Sequence, residues 1–370
     1  MIKKLKVIAD ENIPSLDALL GELADIHYLP GRSMQAEALQ GADALLVRSI
    51  TCVDEALLAG TSIQFVGSCT IGTDHVDLAY LAAQKIAFAN APGCNAAAVV
   101  DYVLSALFAI EPELAVWQQR QVGIVGCGQV GSRLQQRLAA IGIATQVFDP
   151  FVPAATASFD DVLRCDAISL HVPLTRDGEH PTLQMFNAAV FDQLADNTLL
   201  INSSRGKVVD NRALLQHLQQ GRLQAVLDVY EDEPTPSIAL LQALDVATAH
   251  IAGYSLQGKI RGSMQVVEAL YRHFAIAETM PDLLAGQLKQ TRVAEEASLA
   301  EILRLAYDIR ADSAAFLQAY SQAADAAEQA QAFDRYRKQY PVRYEWSFQQ
   351  LVGRGMPDDV LKQLGFVPAD

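Results

Sequence analysis

The sequence predicts an α/β protein: two doubly wound parallel sheets, then a separate, mostly helical C-terminal region. Three observations carry that prediction. Short apolar runs alternate with helical patterns over roughly the first 250 residues, which implies parallel sheets with helices on both faces. A glycine-rich turn, Gly126-x-Gly128-x-x-Gly131, directly follows one of the apolar runs. After Met280-Pro281 the composition shifts towards Ala, Gln and Glu in amphipathic helical patterns.

In chain order, KLKVIAD reads as a strand, and Leu16, Leu19, Leu20 and Leu23 then recur at helical spacing. DALLVRS and IQFVGSC are two further strands, each followed by a turn and a helix. A long apolar helix follows Pro92-Gly93; it is interrupted by Asp101 and too short to span a bilayer. QVGIVG, ATQVFD, DAISLHV, NTLLINSS, QAVLDVY and DVATAHI return as strand candidates, with helices such as Asn211–Gln220 between them. In the tail, Leu299, Ile302, Leu303 and Tyr307 mark one face of a helix. The segment AFDRYRKQY, followed by PVRYEW, mixes cations and aromatics and is expected to be a solvated or subunit-contact face rather than an RNA-binding one.

With 370 residues, 51 % of them hydrophobic, the chain is too long for one ordinary core. Its 28 Lys+Arg against 43 Asp+Glu give a formal net charge of −15, which disfavours nucleic acid and anionic membranes as partners. The five cysteines are odd in number and form no CxxC pair, arguing against a disulfide framework or a zinc site. The apolar stretch of MIKKLKVIAD ends at Asp10-Glu11-Asn12, too soon for a signal peptide. A soluble protein of the cytoplasm is expected, with no metal site.

VGIVGCGQVGSRLQQRLAAIG holds the expected cofactor site. Gly126 permits a tight turn, Gly128 lets backbone approach a pyrophosphate, and Gly131 allows close strand–helix packing. Gln129 and Val130 lie within the same turn, ahead of a helix whose N-terminal N–H groups favour an anion. The next strand ends in Asp149, close to the ~20 residues expected beyond such a motif. A carboxylate there accepts from ribose hydroxyls and repels a 2′-phosphate, so NAD is expected rather than NADP.

Three later segments end in polar residues at successive strand termini, the edge where open parallel sheets bind ligands. They are LLINSSRGKVVD with Arg205, VLDVYEDEP with Asp228 and Glu233, and AHIAGYSLQGKIRG with His250. This order of fingerprint, N-x-x-R-G, L-D-V-x-x-x-E-P and H-I-A-G resembles the NAD-dependent D-2-hydroxyacid dehydrogenase superfamily. The resemblance implies Rossmann-like domains and a catalytic set of Arg205, Glu233 and His250. The chemistry suits the residue types: imidazole takes a hydroxyl proton near neutral pH. A carboxylate on its far nitrogen fixes the tautomer, and a planar guanidinium holds the substrate carboxylate.

The stretches VRSIT, FVGSCTIGTDHVD and NAPGCNAAAVVDYV, with a tail running from RLAYDIRADSAAF to LGF, resemble a branch of that superfamily acting on a phosphorylated hydroxy acid in vitamin B6 synthesis. That branch is cytoplasmic and homodimeric. The resemblance implies a substrate domain at 1–92 and 253–285, an NAD domain at 93–252, and an α+β dimerisation domain at 286–370. It further implies substrate contacts from Ser49, Thr70 and Tyr254, and NAD contacts from Asp149, Asp228 and Gly253. HVPL replaces the family's HTPL, so at Val172 only a backbone contact to NAD is expected. The substrate phosphate calls for a second cation, with Arg48 first and Lys259 and Arg261 behind it. The competing expectations are a 3-phosphoglycerate or other D-2-hydroxyacid dehydrogenase, and a binding protein that senses NAD.

Overall fold

The computed structural model describes residues 4–353 and 356–369. It divides into two compact units, one running through Asn95 and taking in Ser255–Gln287, the other holding Ala96–Tyr254 and the chain from Leu288 on.

The first unit is a five-stranded parallel sheet of β1 (Leu5–Asp10), β2 (Ala24–Leu29), β3 (Ala44–Val47), β4 (Phe65–Ser68) and β5 (Ala87–Ala89), in the order β2-β1-β3-β4-β5. β3 and β4 are buried along their whole length, as expected for interior strands covered on both faces. The edge strand β2 is largely solvent-facing and mixes polar with apolar residues, and β5 is only three half-buried residues, Ala87–Ala89, too short a run to mark a strand. The helical run expected from Leu16 lasts only through Leu20 before a 3-10 turn, Gly21–Leu23. The strand order reverses between β1 and β3, so Asp10 and the segment after Val47 share the switch-point edge of this sheet.

The second unit carries six parallel strands: β6 (Gln121–Val125), β7 (Ala144–Phe148), β8 (Ala167–Leu170), β9 (Thr198–Asn202), β10 (Leu223–Leu227) and β11 (Val246–Ala247). Their order is β11-β10-β9-β8-β6-β7, so the glycine turn after β6 lies at the point of reversal. The apolar helix Ala96–Ile110 and the helix Gly131–Ala140 cover one face.

The chain from Leu288 on is not an independent core. The chain forms a small parallel sheet, β12 (Lys289–Arg292), β13 (Gln349–Val352) and β14 (Val367–Pro368), with the helix Asp358–Leu364 against β14, whereas the helix Ala326–Lys338 packs on Ile309–Ser321 in a cluster with the nucleotide sheet. Trp346, Leu361 and Phe366 share one buried cluster with Tyr102, Ile124 and Leu134. The join is also polar: Arg137 donates to Asp101 of the long helix, and Asp101 Oδ2 accepts from Trp346 N at 3.0 Å. Asp101, which broke the apolar pattern of that helix, is therefore the buried anchor for the C-terminal segment. Among the described residues, no helix is long and apolar enough to cross a membrane.

Candidate active site

The glycine turn has three different reasons for its three glycines. Gly126 sits at φ +95°, where a side chain is strained, and a Cβ there would come within 2.6 Å of the His171 carbonyl. A Cβ on Gly131 would collide with the Gly126 carbonyl, so strand and helix close only over glycine. Gly128 meets nothing within 4 Å. No neighbour in the protein forbids a side chain there, and the open space beside an exposed backbone fits a bound pyrophosphate.

Gln129 is exposed, its backbone carbonyl and side-chain amide oxygen both accepting from Arg133, while Val130 packs into the core. Asp149 stands just past β7; its Oδ2 accepts from Cys127 N at 2.8 Å and its Oδ1 from Phe151 N at 3.0 Å. The carboxylate thus braces the turn and remains half-exposed. His171 is buried against Ser169 Oγ at 3.0 Å, and burial pushes its pKa down to about 3, so it stays neutral and structural. Val172 packs beside Gly126.

Arg205 leaves β9 through a tight turn. Asn202 Oδ1 accepts from Ser204 N and Ser204 Oγ, and Asn202 Nδ2 donates to the Arg205 carbonyl at 2.9 Å. A side chain on Gly206 would strike the backbone of Tyr230, which explains the glycine of N-x-x-R-G. The guanidinium is half-buried and donates through Nη1 to Ser204 O at 2.8 Å.

His250 follows β11 on a turn that Asp228 builds. His250 N donates to Asp228 O at 2.7 Å, and the Asp228 carboxylate accepts from Ile251 N at 2.7 Å, Ala252 N at 2.8 Å and Thr248 Oγ1 at 2.6 Å. That turn holds His250 at φ +56°, a region histidine tolerates better than most side chains. Asp228 is 1 % exposed, so its evident task is to shape this loop.

Glu233 Oε2 meets His250 Nδ1 at 2.8 Å, and Glu233 Oε1 accepts from Tyr230 N at 2.9 Å. Burial raises the Glu233 pKa, but the His250 charge and hydrogen bond, the Tyr230 N–H and Arg337 outweigh it, and the group ends below its usual value. The pair is therefore a carboxylate accepting from the far nitrogen of an imidazole whose Nε2 side is left for chemistry. Gly253 and Tyr254 complete the turn, Tyr254 N donating to Ile251 O at 2.8 Å.

The remaining expected residues belong to the first unit. Arg48 is half-buried and Ser49 exposed, both directly after β3. Thr70 Oγ1 lies 2.9 Å from Ser68 Oγ, which in turn lies 3.0 Å from His75 Nε2. Lys259 and Arg261 lie on the helix Leu256–His273, and Arg261 Nε donates to Cys94 O at 2.9 Å.

Two groups escaped the sequence reading. Arg343 is buried, donates to the Ala252 carbonyl two residues past His250, and stacks 4.3 Å from the Tyr307 ring centroid. Arg337 lies 5.4 Å from the Tyr254 ring centroid. The segment expected to be a solvated or subunit-contact face thus turns Tyr336, Arg337 and Tyr340 inward, leaving Arg335 and Lys338 exposed. No local spacing announces this, because the partners lie about ninety residues earlier in the chain.

Fold and site define a class: a doubly wound nucleotide-binding sheet with an arginine and a carboxylate-oriented histidine at its strand ends, an NAD-dependent D-2-hydroxyacid dehydrogenase. Residues 111–252 match the family described as D-isomer specific 2-hydroxyacid dehydrogenase, NAD binding domain, and residues 280–365 match a domain of unknown function, DUF3410. The erythronate-4-phosphate dehydrogenase of Pseudomonas putida is 47 % identical over 353 residues, 92 % of each chain. That of Serratia proteamaculans is 42 % identical over 384 aligned positions, 99 % of this chain and 100 % of the relative. The solved D-lactate dehydrogenase of Aquifex aeolicus, complexed with NAD and lactic acid, matches with a TM-score of 0.63 at 23 % identity, covering 73 % of this chain and 95 % of that one. The chain belongs to the erythronate-4-phosphate dehydrogenase family.

Proposed function

We propose that this protein oxidises the C2 hydroxyl of 4-phospho-D-erythronate to 3-hydroxy-2-oxo-4-phosphooxybutanoate, a step of pyridoxal 5′-phosphate synthesis. The observation that carries the mechanism is the 2.8 Å pairing of Glu233 with His250 Nδ1. With that nitrogen occupied, His250 Nε2 is the free base for the C2 hydroxyl proton, and the Glu233 carboxylate stabilises the imidazolium that results. Arg205 holds the substrate carboxylate and polarises the C2 oxygen as its proton leaves.

Gly126, Gly128, Gln129, Val130 and Gly131 would hold NAD, with Asp149 at the ribose, and the bound cofactor would supply the hydride acceptor for C2. Asp228 and Gly253 act on the nicotinamide side through the turn they shape. Ser49, Thr70 and Tyr254 are proposed substrate contacts, and Arg48 a cation for the phosphate. The protein is proposed to work in the cytoplasm as a homodimer, with residues 286–370 as the dimerisation domain.

The test is NADH formation followed at 340 nm with 4-phosphoerythronate and 3-phosphoglycerate side by side. Preference for 4-phosphoerythronate upholds the reading, and faster turnover of 3-phosphoglycerate replaces it with the other dehydrogenase.

A further inference from the structure

We propose that the C-terminal domain completes the substrate site, with Arg337 serving as a cation for the substrate's phosphate. The inference rests on the substrate named above and gives the segment described only as a domain of unknown function a part in recognition.

The helix Ala326–Lys338 begins with Asp325 as its N-cap and carries Arg335, Arg337 and Lys338 in its last turn. Arg335 and Lys338 face solvent, whereas Arg337 points inward over two rings, 5.4 Å from Tyr254 and 5.9 Å from Phe333. The helix is locked in this rotation by Phe333, which is 1 % exposed, and by Tyr336, whose hydroxyl donates to Asp312 O at 3.0 Å.

What distinguishes Arg337 is the lack of a partner. Arg137 has the Asp101 carboxylate and Arg343 has the Ala252 carbonyl. Arg337 Nε is sealed from solvent with no acceptor. The carboxylates that bear on it electrostatically are Glu233, Asp334 on the same helix, and Asp228; Glu233 is committed to His250 and Tyr230 N, and Asp228 to its turn. These acids keep the guanidinium charged without satisfying its donors.

Burying a guanidinium N–H without an acceptor is costly, and the cost is relieved when an anion arrives from outside the chain. The site's own substrate supplies one. Its carboxylate is taken by Arg205, and its phosphate lies two carbons beyond the reacting C2. The fork geometry suits phosphate oxygens better than a lysine would. Tyr254, the ring beneath Arg337, is four residues past His250, on the turn that Arg343 grips through Ala252. One C-terminal segment therefore both braces the catalytic turn and sets a cation beside it.

The experiment compares full-length wild type, Arg337→Met and Arg337→Lys, saturated with NAD, on 4-phosphoerythronate and on unphosphorylated erythronate. The expected result is a KM for 4-phosphoerythronate raised about 30-fold in Arg337→Met, the loss of one charge-assisted contact. The loss of kcat/KM on erythronate should be at least about tenfold smaller than that on 4-phosphoerythronate, the common part reporting the Arg337 charge on Glu233, and Arg337→Lys should recover part of the phosphate-specific loss. Equal losses on both substrates would make Arg337 a brace for the Glu233–His250 pair and overturn the proposal, as would an unchanged KM.

NAD affinity and Tm of the variants report folding separately. Wild-type protein inert towards 4-phosphoerythronate would overturn the functional reading instead. Calorimetric titration of the NAD-loaded proteins with inorganic phosphate then still decides Arg337. Affinity weakened at least about tenfold in both variants supports a phosphate site, and unchanged affinity overturns it.

Discussion

Replacing Glu233 by Gln tests the catalytic pair most directly, because the structure makes two demands on one carboxylate. Oε1 accepts from Tyr230 N and Oε2 faces His250 Nδ1, at 2.9 and 2.8 Å. A glutamine has a single oxygen for these two N–H donors. If the oxygen stays with Tyr230, the amide N–H₂ faces Nδ1, which must then accept, leaving the proton on Nε2 where the base should be empty. If the amide flips, Tyr230 N is left facing a donor while the imidazolium still loses its counter-charge. Loss of one charge-assisted hydrogen bond is worth about 1.5–3 kcal/mol, or roughly 10- to 150-fold in rate. The wrong tautomer adds to this, as it does by orders of magnitude when a hydrolase triad aspartate becomes asparagine.

We expect kcat with the preferred substrate to fall at least about 10²-fold, with NAD affinity unchanged. A variant within about threefold of wild-type kcat would refute the assignment of His250 and Glu233 as a working pair. Stability carries a second signature. The Glu233 pKa is depressed in the folded state, so its contribution is present above the unfolded carboxyl value near about 4.3 and is lost as pH falls through the folded value. The Tm gap between wild type and Glu233→Gln should therefore narrow on acidification below that window.

Further substitutions separate architecture from chemistry. His250→Asn keeps a residue type that tolerates the left-handed turn at φ +56°, so NAD binding and Tm should survive while turnover falls about 10²- to 10⁴-fold. Retained turnover would mean the base lies elsewhere. Gly131→Ala should lower Tm by several degrees because its Cβ meets the Gly126 carbonyl, whereas Gly128→Ala, with nothing within 4 Å, should leave Tm nearly unchanged and raise the Kd for NAD. Equal Tm losses would contradict the separate roles given to the two glycines. Arg48→Ala should raise KM far more for phosphoerythronate than for erythronate, and equal effects would remove Arg48 from the phosphate site.

Local pattern carried most of the strands, and pattern together with the family resemblance picked out the proposed catalytic trio. The four interior strands of the nucleotide sheet were legible because buried parallel strands are apolar without alternation, and the edge strands β7 and β11 because each runs into a distinctive polar residue, Asp149 or His250. β2 and β5 were not, since an edge strand is under no such compositional pressure. Arg205, Glu233 and His250 were readable because each sits at a strand end in a short motif with its own steric logic, such as Gly206 against Tyr230.

For Asp228 the structure adds a role to the cofactor contact expected from the resemblance: its carboxylate moulds the His250 turn. Arg337 and Arg343 were illegible. An arginine flanked by charged and aromatic neighbours looks the same whether it faces water or a catalytic loop, because local composition specifies which residues share a helix, not which side of it meets another segment. The sequence alone determined the class of protein, through glycines and strand-end residues whose reasons are local. Only tertiary packing decided that Arg337 and Arg343 of the chain's tail are set on the turn that carries His250, since that contact depends on a helix rotation fixed by distant side chains.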